Sequence, residues 1–224
     1  VSHTNQQNIL FLPKLRRMSR IVIILIFYFF YFSPLYAQTI SSPDDYLGYE
    51  IGTQFSQHHQ VIGYFKAVAK QKPGQVKFVN YGKTNEGRPL YLAFISSEEN
   101  LDNLEQIRTN HLKNAGLVDG TSSSSDNAVV WLSYNVHGNE ASSTEASMLT
   151  LHKLLTEKQD WLKNTIVIID PCINPDGRDR YVNWYNQTSN RPFNPDPQAR
   201  EHDEPWPNGR PNHYLFDLNR DWAW

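Results

Sequence analysis

The chain has 224 residues, of which 39% are hydrophobic and 20% are charged, and its formal net charge is -2 at pH 7. This length allows one sizeable core and, taken alone, one to two domains. A nearly neutral chain supplies no basic field for a phosphate backbone, so nucleic acid is disfavoured as a partner.

The first predicted element is a secretory signal. Ile21 to Phe32 is an unbroken run of 12 apolar and aromatic residues that follows a basic stretch. Spanning a bilayer takes about 20 residues, so the run is too short for a membrane helix. It matches the apolar region of a signal peptide, with cleavage expected after Ala37. An uncleaved anchor is the alternative.

Two sequence domains follow from this signal. Residues 1–37 are predicted to be upstream sequence plus the signal peptide, with Met18 as the start, and residues 38–224 to be the exported part of the chain. The protein is therefore expected to be secreted or periplasmic. Cys172 is the only cysteine, so no internal disulfide can form despite the oxidising compartment. A buried thiol is expected at Cys172, with a bridge to other sequence as the alternative.

Helices and strands alternate along the rest of the chain. Hydrophobic periodicity predicts a helix over 55–71, strands over 76–81 and 90–96, a helix over 98–114, a central strand over 128–134, a helix over 143–158 and a strand over 165–170. Ser142 and Glu145 have the spacing of a capping box at the start of the helix over 143–158. The alternation predicts an α/β fold with a mixed, partly parallel central sheet and helices on both faces.

The amino-acid composition changes in the last part of the chain. Six prolines between 185 and 212 exclude regular structure there, and a short apolar segment over 213–218 reads as a strand. That strand would lack its following crossover, because the chain stops at Trp224. The sequence is therefore expected to be an amino-terminal portion of the domain, with the sheet truncated at its carboxyl end.

His137-Gly138-Asn139-Glu140 is the most informative motif, because it lies between a predicted strand and a predicted helix. Ligands gather beyond the carboxyl ends of strands in α/β sheets, and both His137 and Asn174 fall at such ends. Imidazole nitrogen and carboxylate oxygen are zinc donors, and a catalytic zinc takes three protein ligands and a water. Gly138 lets the backbone turn, so His137 and Glu140 could face one metal ion. A solvated loop histidine and a glutamate near a helix dipole are the alternative.

Two further motifs carry chemistry. Asn219-Arg220 combines an amide with a planar guanidinium, which recognises a carboxylate through two parallel hydrogen bonds. An ordinary surface arginine paired with a neighbouring aspartate is the alternative. Asn174-Pro175-Asp176-Gly177 is a turn by composition, and we interpret it as a scaffold turn that shapes the floor of a cleft.

Four motifs in order resemble the zinc carboxypeptidase family. They are Glu86-Gly87-Arg88-Pro89-Leu90, His137-Gly138-Asn139-Glu140, Asn174-Pro175-Asp176-Gly177 and Asp217-Leu218-Asn219-Arg220. The resemblance covers about residues 46–224. It implies that His137 and Glu140 are two Zn²⁺ ligands, and that Asn219 and Arg220 grip the terminal carboxylate of a peptide or protein substrate.

The resemblance also implies parts that the chain does not supply. Carboxypeptidase A binds zinc through two histidines and a glutamate, and the family places its third ligand and its general base beyond the Asn-Arg motif, here beyond Trp224. The catalytic base is therefore unassigned, and this chain alone is expected to be inactive. His202 and His213 are weaker rivals for the third ligand. A carbonyl-polarising arginine is also unassigned, with Arg178, Arg180 and Arg191 as possible substitutes.

Three hypotheses for function remain open at this stage. The leading one is an exported zinc metallocarboxypeptidase, in which zinc polarises the carbonyl and lowers the pKa of water. The second is an N-acyl amino acid deacylase that resembles aspartoacylase and succinylglutamate desuccinylase. The third is a non-catalytic binding module on the same fold. No nucleic acid partner and no stable membrane span after signal cleavage are expected.

Overall fold

The computed structural model describes residues 39–122 and 127–222, so the predicted signal peptide and Met18 lie outside the described residues. The helices are α1 Pro43–Leu47, α2 His58–Gln71, α3 Glu98–Asp102, α4 Leu104–Asn114, α5 Ser142–Thr156 and α6 Pro175–Thr188. The strands are β1 Val76–Lys83, β2 Pro89–Ile95, β3 Ala128–Ser133 and β4 Thr165–Asp170. Short 3₁₀ helices span Gln159–Lys163 and Arg200–His202. None of the helices in the described ranges is long and apolar enough to cross a bilayer.

The four strands form one mixed sheet in the order β1-β2-β4-β3. β1 and β2 pair antiparallel, as do β2 and β4, whereas β3 and β4 run parallel. The predicted mixed, partly parallel sheet is thus confirmed. The prediction that β3 is central is wrong for the described sheet, where β3 lies at an edge and exposes Val129 and Trp131. An apolar run indicates a strand, but it does not say how many neighbours the strand has.

Helices cover both faces of the sheet, as predicted. The main core lies between the sheet and the helices α2 and α5, and its buried members include Phe65, Val68, Ala93, Ile95, Met148, Leu151, Val167 and Ile169. The residues that alternate with these along the strands point the other way. Phe94, Ile166 and Ile168 line a groove on that second face together with Leu104 and Ile107 of α4.

The predicted helix over 98–114 is divided at Asn103 into α3 and α4. Asn103 donates a side-chain hydrogen bond of 2.9 Å to the carbonyl of Glu99. Asparagine side chains compete in this way with the helical backbone ladder, which explains the break.

The predicted capping box at α5 is wrong, although the helix itself is confirmed. α5 begins at Ser142 with Ala141 at the N-cap position, and no side chain caps it. Glu145 is buried and forms an ion pair of 2.6 Å with Arg178 instead. The carboxylate of Glu145 is thus directed at a buried guanidinium, a charge-assisted contact, and does not reach back to the start of α5. Glu140 lies just outside the helix, as predicted.

Asn174-Pro175-Asp176-Gly177 is the start of α6, so its interpretation as a scaffold turn is wrong. The Asn174 side chain accepts a 3.0 Å hydrogen bond from the Gly177 amide, and Pro175 is the first helical residue. Asparagine at the N-cap and proline at the first position are both favoured at helix starts. α6 then continues to Thr188, so regular structure reaches into the proline-rich region that was predicted to be irregular.

The predicted strand over 213–218 is also wrong, because these residues form a turn. Asn212 accepts hydrogen bonds of 2.9 and 3.0 Å from the amides of Tyr214 and Phe216. Leu215 has a φ of 63°, a left-handed conformation that interrupts extended backbone. Tyr214, Leu215 and Phe216 are exposed rather than packed into the sheet.

A buried carboxylate lies at the carboxyl end of β4. Asp170 is 2% exposed and accepts hydrogen bonds from the Tyr81 hydroxyl at 2.7 Å and the Cys172 amide at 3.3 Å. Burial raises the pKa of Asp170 to about 6, and the two hydrogen bonds only partly oppose this effect. Cys172 itself is buried, as predicted.

Asp170→Asn should change how stability depends on pH. The folded-state pKa of Asp170 exceeds its ordinary value of 3.8, so the wild-type carboxyl group costs little stability at low pH and costs more as pH rises through about 6. Between about pH 4.5 and about pH 7.5, the free energy of unfolding of the wild type should fall by about 2 kcal/mol relative to the variant. Urea titrations at both pH values measure this difference, and parallel curves for the two proteins would contradict it.

Candidate metal centre

His137 lies in the loop between β3 and α5, and the loop is shaped by Asn135. Asn135 has a φ of 57°, a left-handed conformation that asparagine adopts more readily than most residues. Its buried side chain donates a 3.0 Å hydrogen bond to the carbonyl of His137. The loop is also tied to the end of β4, since the Asn174 amide donates to the Asn135 carbonyl at 3.2 Å. The carboxyl ends of the two parallel strands therefore meet beside His137.

The imidazole of His137 lies between two carboxylates. Its Nδ1 is 2.7 Å from Glu140 Oε1, and its Nε2 is 2.8 Å from Asp217 Oδ1. The side chains of His137 and Glu140 therefore converge, as the sequence predicted. Asp217 is 80 positions further along the chain and reaches the ring from the opposite side.

Asp217 orients the ring electrostatically. The hydrogen bond from His137 lowers the pKa of Asp217 to about 2, and hydrogen bonds from Arg210 and the Asn219 amide add to this effect. The Asp217 carboxylate engages Nε2 and so fixes the plane of the ring, with Nδ1 turned toward Glu140. This is the arrangement in which a carboxylate supports a metal-binding histidine.

The donor set fits part of a zinc site. Imidazole nitrogen and carboxylate oxygen both bind zinc at about 2.0–2.2 Å, so two such donors in a tetrahedron lie about 3.4 Å apart. The observed 2.7 Å between Nδ1 and Oε1 is shorter, but the Glu140 side chain is 63% exposed and can turn. Among residues 39–122 and 127–222, no three His, Cys, Asp or Glu side chains are grouped to hold a metal. These residues thus fit two of the three protein ligands.

Arg210 connects both carboxylates of the candidate centre. Its Nε and Nη2 lie 3.0 and 2.9 Å from Asp217 Oδ2, and its Nη1 lies 3.7 Å from Glu140 Oε1. The guanidinium is partly exposed. It is therefore a cation that lies next to the two predicted ligands and remains accessible to a bound molecule.

The three arginines that were considered for carbonyl polarisation lie elsewhere. Arg178 is fully buried and paired with Glu145. Arg180 donates to the Asn208 carbonyl at 2.7 Å and lies 3.5 Å from Glu86. Arg191 is exposed in the loop that follows α6. Arg210, which the sequence analysis did not consider, is the arginine that contacts Glu140.

The two rival histidines have their own partners. His202 Nε2 is 2.8 Å from the Asn194 carbonyl, and His213 Nδ1 is 3.1 Å from Glu86 Oε1. Neither imidazole contacts His137 or Glu140 in the structure.

Asn219 and Arg220 lie two and three positions after Asp217 and are exposed. Asn219 Oδ1 accepts a 3.2 Å hydrogen bond from Trp222 Nε1, which leaves the amide nitrogen as the outward-facing donor. Arg220 donates only to the neighbouring Asn219 carbonyl, at 3.3 Å. The two side chains thus offer donors without a competing carboxylate partner in the described residues.

Three glycines allow the loops of the centre to meet. A Cβ on Gly138 would overlap backbone atoms of Gly177 and Arg178 and the Gly209 carbonyl oxygen. A Cβ on Gly177 would overlap Gly209 O, and one on Gly209 would overlap Gly177 O. Gly138 is therefore required for close backbone approach. A backbone turn was predicted at Gly138, yet Gly138 is not among the glycines with positive φ.

Some functional residues could have been found from the sequence. Asp217 belongs to the motif Asp217-Leu218-Asn219-Arg220, but only Asn219 and Arg220 were predicted to have a role in it. Asn135 is one of the few residue types that tolerate a left-handed conformation, which signals a tight turn before His137. Arg210 carries no local signal, because its partners lie 7 and 70 positions away in the chain.

Comparison with known proteins gives a family match. The model of the family described as zinc carboxypeptidase matches residues 61–224. No curated protein matches the chain.

Comparison with solved structures finds partial matches to carboxypeptidases. Carboxypeptidase A from Helicoverpa armigera is 23% identical, with a TM-score of 0.45, over 63% of this chain and 29% of that one. A metallo-carboxypeptidase from Burkholderia cenocepacia is 19% identical, with a TM-score of 0.42, over 75% and 33%. A putative carboxypeptidase A from Shewanella denitrificans is 17% identical, with a TM-score of 0.44, over 76% and 32%. The chain spans about a third or less of each of these proteins.

Gly138→Ala should destabilise the chain, because the added methyl group meets backbone that cannot turn aside. Overpacking of this kind costs about 1–3 kcal/mol in the free energy of unfolding. Gly82→Ala is the matched control, since a Cβ at Gly82 meets nothing within 4 Å. Chemical denaturation of the three proteins measures the effect. Equal stability of the two variants would show that the glycine junction, the close packing of Gly138, Gly177 and Gly209, does not constrain the loops.

Proposed function

Since this chain belongs to the zinc carboxypeptidase family, we propose that the protein is a zinc-dependent carboxypeptidase that removes residues from the carboxyl terminus of peptides. The family membership suggests a hydrolase. One observation carries the finer proposal: His137 Nδ1 and Glu140 Oε1 face each other at 2.7 Å, while Asp217 holds the far side of the ring.

His137 and Glu140 would hold the metal in this proposal. A zinc ion bound there supplies a Lewis acid, which polarises a carbonyl and makes water a stronger nucleophile. Asp217, which engages Nε2, would leave Nδ1 of His137 as the nitrogen that binds the metal, and it fixes the plane of the ring. The third protein donor and the general base are proposed to come from outside residues 39–222, because the described part of the chain groups only two donors.

Asn219 and Arg220 would select the substrate. Because Trp222 occupies the oxygen of the Asn219 amide, that side chain presents its nitrogen, and Arg220 adds a planar fork of donors. A donor-only pair of this kind suits a carboxylate. Requiring a free terminal carboxylate would make the cleavage exopeptidic.

Arg210 would stabilise negative charge during the reaction. Its guanidinium lies 3.7 Å from Glu140 Oε1, so a carbonyl group brought to the candidate centre would come close to its donors. Fixed donors at a position where an oxyanion develops contribute strongly to hydrolytic catalysis. This assigns to Arg210 the role for which the sequence offered Arg178, Arg180 and Arg191.

Export remains part of the proposal. It rests on the apolar run from Ile21 to Phe32 and on the expected cleavage after Ala37, and both lie outside the described residues. A peptide or protein substrate outside the cytoplasm is compatible with this location.

Glu140→Ala should weaken metal binding by at least about 100-fold, a larger loss than the 10- to 100-fold expected for a supporting residue. His202→Ala is the control, because His202 contacts the Asn194 carbonyl and lies outside the centre. Isothermal titration with zinc measures the affinity of the three proteins. Undiminished zinc affinity in Glu140→Ala would remove this carboxylate from the ligand set.

In the full-length protein, Arg220→Ala should lower kcat/KM on peptides with a free carboxyl terminus by at least about 10- to 100-fold, the loss expected when even one charge-assisted hydrogen bond to the carboxylate is removed. Amidated peptides should resist cleavage by the wild-type protein. Arg200→Ala, a change at another exposed arginine, should have no effect. Equal cleavage of free and amidated peptides would contradict the assigned role of Arg220.

The substrate comparison also separates the rival functions. Hydrolysis of N-acyl amino acids in preference to peptides would favour a deacylase. Zinc binding by the full-length protein without turnover of either substrate class would favour a binding module.

A further inference from the structure

Arg178 is a fully buried cation whose three guanidinium nitrogens all have partners. Nε donates to the Ser56 carbonyl at 3.0 Å, Nη1 to the Ala141 carbonyl at 2.5 Å and Nη2 to Glu145 Oε1 at 2.6 Å. The guanidinium also lies 5.7 Å from the centre of the Phe55 ring. Removing a charge from water costs several kcal/mol, so these bonds must be kept for the group to remain buried.

The contact with Ala141 connects Arg178 to the candidate centre. Ala141 follows Glu140 and is the N-cap residue of α5, where no side chain caps the helix. The Glu140 side chain is mostly exposed, so its position depends on the backbone that carries it. Arg178, in α6, fixes this backbone by its hydrogen bond to the Ala141 carbonyl.

Arg178 is itself fixed at the glycine junction. It follows Gly177, and its amide lies where a Cβ on Gly138 would fall. Its amide also donates a 2.9 Å hydrogen bond to the Asn174 carbonyl at the start of α6. The start of α6 and the segment that carries Glu140 are therefore joined by one side chain as well as by close packing.

We propose that Arg178 is a positioning residue for Glu140: by gripping the Ala141 carbonyl, it holds the Glu140 carboxylate against His137 Nδ1. This inference rests on the proposed function, in which Glu140 is a metal ligand. Arg178 acts through the backbone and touches neither the metal nor the substrate.

Arg178→Lys is the first test variant. Lysine keeps the buried charge opposite Glu145, but a single ammonium cannot reproduce the planar fork that reaches Ser56, Ala141 and Glu145 together. Arg178→Met/Glu145→Gln is the second variant. It removes both charges, so no unpaired ion is left in the core, and the glutamine oxygen can still accept from the Ser56 amide.

Arg88→Met is the matched control. Arg88 forms ion pairs of 2.6, 2.8 and 2.7 Å with Glu86, Asp176 and Asp179, so its loss also leaves a buried carboxylate, that of Asp176, without its cation. None of these contacts involves residues 137–141. A merely structural role for Arg178 would therefore give the same results in the Arg88 variant.

Two readouts test the proposal in variants that remain folded by circular dichroism. The first is the affinity for cobalt as a spectroscopic substitute for zinc, which should fall about 10- to 100-fold in both Arg178 variants and stay unchanged in the control. The second needs no metal: the ¹⁵N resonance of His137 Nδ1, assigned with His137→Gln, should shift in the Arg178 variants, because Glu140 moves away from the ring.

The outcomes distinguish the positioning role of Arg178 from the assignment of Glu140 as a metal ligand. A folded Arg178 variant that keeps both the wild-type cobalt affinity and the wild-type Nδ1 resonance would overturn the positioning role. If the wild-type protein binds no cobalt, the metal-ligand assignment fails, while the Nδ1 resonance still decides whether Arg178 holds Glu140.

Discussion

The imidazole of His137, held between Glu140 and Asp217, is the contact around which the candidate centre is organised. Nε2 is engaged by Asp217 at 2.8 Å, so Nδ1 is the nitrogen that remains for Glu140 or a metal ion. The Asp217 contact also explains why the turn before Asn219 and Arg220 lies beside the loop that follows β3. One hydrogen bond thus relates the predicted metal ligands to the predicted carboxylate site.

Close backbone packing brings these parts together. The loop after β3, the start of α6 and the proline-rich loop meet at Gly138, Gly177 and Gly209, where no side chain beyond hydrogen would fit. Around this junction, ion pairs connect side chains of different elements and loops, including Arg178 with Glu145 and Arg210 with Asp217. The junction explains how motifs that are separated in the sequence contribute to one edge of the sheet.

The sequence predicted what depends on local pattern and missed what depends on distant partners. The mixed sheet, most helices and strands, and the convergence of His137 and Glu140 follow from periodicity and a three-residue spacing. Glu145 was misassigned because its local spacing suggests a cap, whereas its partner Arg178 is 33 positions away. The segment around Leu215 was mistaken for a strand, because an apolar run does not reveal that its side chains are exposed in a turn.

The same contrast between local sequence pattern and distant partners decides which site residues could be predicted. Asn219 and Arg220 were predicted from the resemblance and lie beside Asp217, and their role in substrate binding stays a prediction. Arg210 was not predicted, because only the folded chain brings it within 3.7 Å of Glu140.

The most direct test of whether His137 and Glu140 bind one metal ion is a zinc-edge anomalous difference map from crystals of the zinc-loaded protein. The account predicts a peak within about 2.0–2.2 Å of both His137 Nδ1 and a Glu140 carboxylate oxygen. A peak at other side chains, with none between these two, would contradict it.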